Sequence, residues 1–299
     1  MPRLQSPSSI NMYLQCPRKY YYRYIEKLPT RPSIHTLRGN VVHSALEDFF
    51  KIQIEHVNEQ NYQFELNTVL QDLLRQRWNE RRAEFERLGL GRDALYQYFM
   101  ESRDMLQRWF IAFVNKLHGL VPQMGLEGAF GRLVPRTEVH VMSKAFFVQG
   151  YIDAVYEDES GIRIVDYKTS KSNHISDEYR LQLSMYALLF QENEGGRRPD
   201  RVGIHFLKFG EEQYLDVSEE MIERAKKVCM DIQINTQSNS MSDYPKKVGP
   251  LCKWGSGQCD FFEPCFGQVT LEDFREKCEE ERGVGEQRES VEEDDAERP

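Results

Sequence analysis

No run of 18 or more apolar residues occurs in this 299-residue chain, so it carries no signal for a membrane-spanning helix. The opening MPRLQSPSSINMYLQCPRK lacks the apolar centre of a secretory leader, and a cytoplasmic protein is expected. No phosphate-cradling G-x-x-x-x-G-K-[ST] loop is present, so a helicase motor working with this protein would sit on another chain. An excess of positive charge is missing as well. The net charge is −9, yet residues 272–299 hold 13 acidic against 5 basic side chains, which leaves −1 for residues 1–271. The body is near neutral, and the acidity lies in a tail expected to be disordered from about Gly283 onward. What is there, 40% hydrophobic and 12% aromatic, suffices for the packed core of one large domain or of a domain with an insertion.

The chemistry is expected between Gly150 and Lys168. Two runs rich in Val, Ile and Tyr flank the turn Glu157-Asp158-Glu159-Ser160-Gly161, a β-hairpin pattern. Residues two apart on a strand share a face, so Asp166 and Lys168 point one way and Tyr167 the other. Asp153 on the partner strand can bring a second carboxylate to the same point. Two carboxylates beside a lysine suit a divalent ion held through oxygen, with the lysine orienting water or neutralising a phosphate. A surface Asp–Lys pair of little consequence is the plain alternative.

Ser6-Pro7-Ser8-Ser9 opens a short helix that should end near Cys16-Pro17. The following Arg18, Lys19, Tyr20 and Arg23, interleaved with Tyr21, Tyr22 and Tyr24, could hold phosphates on cations and bases on rings. They could equally place tyrosines in a core and cations in water. A helix from about Gly39 would set His43 and Glu47 on one face, where a lone histidine is ordinarily a hydrogen-bonded core residue. From Phe49 to Phe130 the apolar spacing is helical, interrupted at Leu88-Gly89-Leu90-Gly91; a helical insertion shaping a substrate channel is expected. Strands over 133–142 and 145–156 lead into the hairpin. A Ser176-capped helix to about Gln191 puts Gln182 and Tyr186 on one face. Two strands, 201–208 and 213–217, and a helix from Ser218 complete a mixed α/β sheet flanked by helices.

Of six cysteines, Cys252, Cys259 and Cys265 cluster in CKWGSGQCDFFEPC. Without a secretion signal, a metal or cluster is favoured over disulfides. Cys16, flanked by a helix end and a proline, is the candidate fourth ligand; iron–sulfur and zinc both accept four thiolates. Cys229 and Cys278 read as bystanders.

These motifs, in their order, resemble the RecB-like branch of the PD-(D/E)XK nucleases, in particular iron–sulfur exonucleases similar to the CRISPR-associated RecB-like nucleases and the AddB nuclease domain. The resemblance rests on C-P-R-K-Y-Y-Y-R-Y, G-x-x-x-H at Gly39 and His43, G-Y-I-D ending in Asp153, V-D-Y-K ending in Lys168, Q-x-x-x-Y at Gln182 and Tyr186, and the cysteine trio. It implies a restriction-endonuclease-like fold and a Mn²⁺- or Mg²⁺-dependent DNA exonuclease of single strands or ends, in repair, recombination or CRISPR spacer processing. His43, Asp153, Asp166 and the Tyr167 carbonyl would hold the metal, Lys168 would position water, and Gln182 and Tyr186 would support the site or the DNA. An imidazole ligand leans the preference toward Mn²⁺. A [4Fe–4S] cluster, with zinc as the competing occupant, would map to Cys16, Cys252, Cys259 and Cys265. The six residues between Cys252 and Cys259 depart from the two common in the family. The rival readings are a non-catalytic DNA-end-binding adaptor and the nuclease subunit of a helicase–nuclease complex, with a helicase or CRISPR adaptation proteins as partners.

The expected organisation is an N-terminal helical part with Cys16 over 1–48, the insertion over 49–130, a nuclease core over 131–248, the cysteine region over 249–271 and the acidic tail over 272–299. Gln268, Leu271 and Phe274 form a Q-x-x-L-x-x-F pattern similar to peptides that dock on the sliding clamp. Arg275 stands where a second aromatic anchor is usual, and Leu271 and Phe274 could instead pack back on the cysteine region.

Overall fold

The computed structural model describes residues 2–255 and 257–280; the tail from Gly283 onward lies outside them. A five-stranded sheet runs in the order β1 (Arg136–Ser143), β2 (Val148–Asp158), β3 (Gly161–Lys168), β4 (Arg201–Phe206), β5 (Glu211–Asp216). Neighbouring strands are antiparallel except β3 and β4, which run parallel because a helix (Asp177–Asn193) crosses over between them. This is the mixed, helix-flanked sheet expected from the order of the strand and helix patterns. The β2–β3 turn is tighter than expected, since Asp158 pairs with Gly161 and only Glu159 and Ser160 stay outside the ladder. Gly161 has φ 110°, and a Cβ there would lie 2.2 Å from Oδ2 of Asp200. That carboxylate accepts the Ile162 N–H at 2.7 Å, so no side chain fits at position 161.

Helices α1 (Pro7–Gln15), α2 (Pro17–Tyr20), α3 (Ile34–Phe49), α4 (Tyr62–Glu80), α5 (Arg82–Glu86) and α6 (Arg92–Leu133) precede the sheet. The crossover helix is α7, and α8 (Glu219–Asn235) follows β5. Ser6 and Ser9 form a reciprocal capping box that starts α1. Ser176 and Ser218 cap α7 and α8 by accepting the N–H of Tyr179 and Met221, each at 3.2 Å. Each such cap is worth about 1 kcal/mol. Helix α3 begins at Ile34, ahead of Gly39, because Ser33 and the residues after it carry no breaker.

The two faces of the sheet are covered by different parts of the chain. Helices α3 to α6 bury their apolar stripes on Ala154, Val165, Tyr167 and Leu207. Phe49 is the hub of this layer, with ring centroids of Trp109 and Phe113 at 5.4 Å and Phe130 at 5.9 Å. The segment 49–130 therefore shares one core with the sheet and forms its second layer. On the opposite face α1, α7 and α8 pack on Ile152, Ile164, Val202 and Phe206.

A third core joins the chain ends: Tyr20, Tyr21, Tyr22 and Leu28 meet Tyr244, Phe261 and Phe274. Two expectations change here. Tyr20 is 1% exposed, and its hydroxyl takes a hydrogen bond from Gln5 Nε2 at 2.8 Å, so its ring belongs to the core and offers no face for a base to stack on. Arg18 is likewise tied down, donating to the carbonyls of Tyr244 at 2.8 Å and Met241 at 3.2 Å. Lys19 reaches Gln15 Oε1 at 3.1 Å, and only Arg23 of the four is fully at the surface. The docking peptide is also corrected. Residues 271–280 are helical, and Phe274 is 1% exposed against Phe261 at 6.2 Å, so its aromatic anchor is buried inside this protein and withheld from a clamp.

His205 on β4 stands across from Glu212 on β5, Nδ1 to Oε1 3.4 Å, while its Nε2 has no partner among the described residues. Burial pushes this imidazole down to about 4, with Glu212 pulling up and Lys116 pushing down. The unfolded chain would bind a proton near 6.5 that the folded chain refuses, so stability is full above about 6.5 and falls as pH drops toward 4. Urea midpoints between pH 7.5 and 4.5 should decline along this window, by roughly 2–3 kcal/mol at its acid end. His205→Gln should flatten that part of the profile.

Candidate active site

The sequence-derived residues converge where β2 and β3 part. Pairing between these strands ends at Ala154 and Val165, while β2 continues beside β1. Ile152 and Val155, three residues apart, both face the same core, so the alternation of β2 is broken at Asp153. The Tyr167 N–H beyond the fork has no partner on β2's backbone and donates to Asp153 Oδ2 at 2.7 Å. His43 of α3 approaches the same oxygen, Nδ1 at 3.5 Å. On the other side of the fork, Lys168 Nζ lies 2.6 Å from Asp166 Oδ2. Gln182 of α7 donates to Asp166 Oδ1 at 3.3 Å and to the Tyr186 hydroxyl at 3.1 Å. Helix α3 from one layer and helix α7 from the other thus meet at the end of the same strand pair.

Electrostatics follow from burial. The Asp166 carboxyl is pushed up by burial, reinforced by the Asp153 charge and opposed by Lys168. Burial also pushes Asp153 up, but His43, the Tyr167 N–H and Lys168 outweigh it and hold it ionised below its ordinary value. Lys168 stays protonated because its carboxylate neighbours overcome a burial penalty that would lower it. His43 is lowered by burial and raised more by Asp153, with a net upward shift. Oδ2 of Asp166 is buried and has no aligned hydrogen-bond donor, although the Lys168 ammonium sits close. A carboxyl oxygen with spare lone pairs, beside a second carboxylate and an imidazole, is a donor set for a hard or borderline divalent ion. Among the described residues, no group of three or more His, Cys, Asp or Glu side chains already stands drawn together as a metal cage.

One participant was missed in the sequence. Glu138, beside Thr137 and Val139 whose partners flank Asp153, has φ 48°, a left-handed conformation unusual for glutamate. Its carboxyl is raised by burial, then by the Asp153 and Glu47 charges, so it is a third acid in range of the fork. Nothing in the pattern of β1 marks it; only the break opposite Asp153 does.

The cysteines also come together. Strands β6 (Lys253–Trp254) and β7 (Gly257–Gln258) form a small hairpin with Cys252 and Cys259 at its feet, where the Cys259 N–H donates to the Cys252 carbonyl at 2.9 Å. The six-residue spacing is folded back on itself. Helix α9 (Phe262–Cys265) brings in Cys265, and Cys16 joins from the α1–α2 junction, so all four line one cavity of about 370 Å³. Burial raises the thiols of Cys259 and Cys265. Cys229 is buried on α8, where burial lifts its thiol to about 12, and Cys278 is buried in the third core, on which Cys259 and Cys265 also pack.

A family model for the PD-(D/E)XK nuclease superfamily matches residues 5–266. The chain belongs to the PD-(D/E)XK nuclease superfamily. The chain is also 25% identical over 176 residues to the CRISPR-associated exonuclease Cas4 of Francisella tularensis subsp. novicida (strain U112), covering 57% of this chain and 84% of that one. A crystal structure from Eubacterium rectale, of a protein named only as a candidate exonuclease, aligns with TM-score 0.49 and 13% identity over 84% of this chain and 86% of that one.

Gly150 of the G-Y-I-D motif acquires a structural reason. A Cβ there would come 3.2 Å from Tyr186 Cε1 and 3.5 Å from Pro7 Cδ, both packed in place. Gly150→Val should displace the Tyr186 ring and cost about 1–3 kcal/mol of stability by overpacking. Urea denaturation would measure it, and an unchanged midpoint would mean the ring moves freely.

Proposed function

We propose that this protein is a Mn²⁺- or Mg²⁺-dependent DNA exonuclease that hydrolyses phosphodiester bonds of single strands or DNA ends. The observation that carries the reading is the meeting of Asp153, Asp166, Lys168 and His43 at one fork in the sheet. In this reading Asp153, Asp166, His43 and the Tyr167 carbonyl are the donors to the ion. The ion, when bound, supplies Lewis acidity at the phosphate and an acidified water. Lys168, protonated and held by Asp166, orients the attacking water and balances charge that develops on the phosphoryl oxygens. Gln182 fixes the Asp166 carboxylate through Oδ1, leaving Oδ2 for Lys168 and the ion; Tyr186 anchors Gln182. Support for DNA as substrate comes from family membership and from the name of the Cas4 relative. Repair, recombination or CRISPR spacer processing is the setting, with a helicase or CRISPR adaptation proteins as partners.

Lys168→Ala should lower cleavage of labelled single-stranded DNA by at least a hundredfold, within the usual range for removing one such group. Binding and thermal stability should stay near those of the parent. Cleavage should appear with Mn²⁺ or Mg²⁺ and vanish with EDTA. A Lys168→Ala protein that cuts at the parental rate would refute the assignment.

The cysteine cavity is proposed to hold a [4Fe–4S] cluster, with zinc as the rival occupant. Three thiols from one short segment and a fourth from the far end of the chain around one space are the supporting observation. Ligation through Cys16 and Cys252 would close more than 230 residues into a loop, restricting the unfolded ensemble. Anaerobically purified protein should be brown and contain about four irons per chain. Cys259→Ala should lose both colour and thermal stability. Zinc without iron would overturn the cluster and leave the nuclease reading intact.

A further inference from the structure

Cations gather just past the end of β3 that carries Asp166 and Lys168. The Leu207 N–H donates to the Lys168 carbonyl at 2.9 Å, which places Lys208 beside the exit of the catalytic strand. Lys171 lies exposed on the loop after that exit. From the third side, Arg38 of α3 donates through Nη2 to the Thr169 carbonyl at 3.2 Å, with its guanidinium over Tyr98 at 5.6 Å. His35, about one turn before Gly39, is exposed and meets the edge of Tyr98 at 5.7 Å. Its imidazole is pushed down by burial and then by Arg38, Lys171 and Lys208, so all three cations act on this one ring.

Little opposes this charge. Glu101 is the anion that raises His35, and it is paired with Arg38. Glu211 near the loop takes the Asn173 amide at 2.8 Å. Neither Lys171 nor Lys208 forms an ion pair among the described residues, and the Nε–H of Arg38 has no acceptor. The two lysines, from separate segments and without an anion of their own, gain from an incoming anion, whereas Arg38 is already partly spent on Glu101.

We propose that Lys171, Lys208 and His35, backed by Arg38, bind a backbone phosphate of the substrate strand adjacent to the scissile one. The inference rests on the nuclease reading and deepens it: the protein grips a polynucleotide by two phosphates, one at Lys168 and one at this rim. Arg38 acts by position, fixing α3 to the strand end, while the lysines and His35 make the contact. The site recognises charge and spacing and carries no base preference.

The test is the double variant Lys171→Ala/Lys208→Ala in the full chain. Binding of a fluorescent single-stranded oligonucleotide is measured in EDTA over a salt series, where cleavage is absent. Affinity should fall roughly tenfold at low salt, and the slope of log K against log salt should become shallower by about one. In Mn²⁺ the KM for the oligonucleotide should rise with kcat little changed. Hydrolysis of bis(p-nitrophenyl) phosphate, which has no neighbouring phosphate, should be unaffected. Lys171→Arg/Lys208→Arg should restore binding. An unchanged salt slope and KM would overturn the rim while sparing the nuclease, and so would an equal loss on bis(p-nitrophenyl) phosphate and DNA. If the parent cut neither substrate, the nuclease reading would fall, and the EDTA binding series would still decide the rim.

Discussion

One backbone N–H organises this molecule's chemistry. Where β2 leaves β3, the Tyr167 amide loses the strand partner that would otherwise satisfy it, and a buried amide without an acceptor costs roughly 1–3 kcal/mol. The Asp153 carboxylate supplies the acceptor at 2.7 Å. That bond fixes an acid at the mouth of the fork, with Asp166 one residue before the amide and Lys168 one after. The broken alternation of β2 and the left-handed backbone of Glu138 belong to the same irregularity. A regular ladder would have turned Asp153 away.

Both helical layers are needed to complete what the fork begins. The α3–α6 layer is anchored through Phe49 and its ring neighbours and delivers His43 to Asp153. The α7 layer, started by the Ser176 cap, delivers Gln182 to Asp166. Tyr167, between Asp166 and Lys168 on β3, faces the first layer and contacts the Tyr156 hydroxyl at 3.2 Å. Alternation on a single strand therefore sends its polar residues to the site and its aromatic to the core. The third, tyrosine-rich core closes the chain ends around the cysteine cavity and sets that cavity's shape from residues nearly the whole chain apart.

Much of this was legible in the chain. Period-two alternation gave β3 its two faces, and serines marked the starts of α1, α7 and α8 within a residue or two, the latter two ahead of acidic first turns. Where local pattern was ambiguous, tertiary burial chose. Basic-aromatic interleaving fits a nucleic-acid surface and a core equally well, and Tyr20 went to the core because Tyr244 and Phe261 from the other chain end needed a partner surface. Phe274 was drawn inward for the same reason, against Phe261.

The sequence by itself determined which residues share a strand or helix face, because those periods are set by backbone geometry alone. Asp166 beside Lys168, and Gln182 beside Tyr186, needed nothing more. Only the tertiary structure decided that His43 reaches Asp153 beside Asp166, that Glu138 stands opposite Asp153, and that Cys16 faces Cys252, Cys259 and Cys265. It also decided that Arg38 of α3 and the residues after β4 meet the chain just past Lys168. Those contacts link residues tens to hundreds of positions apart, and their cause is the packing of layers that no local period encodes.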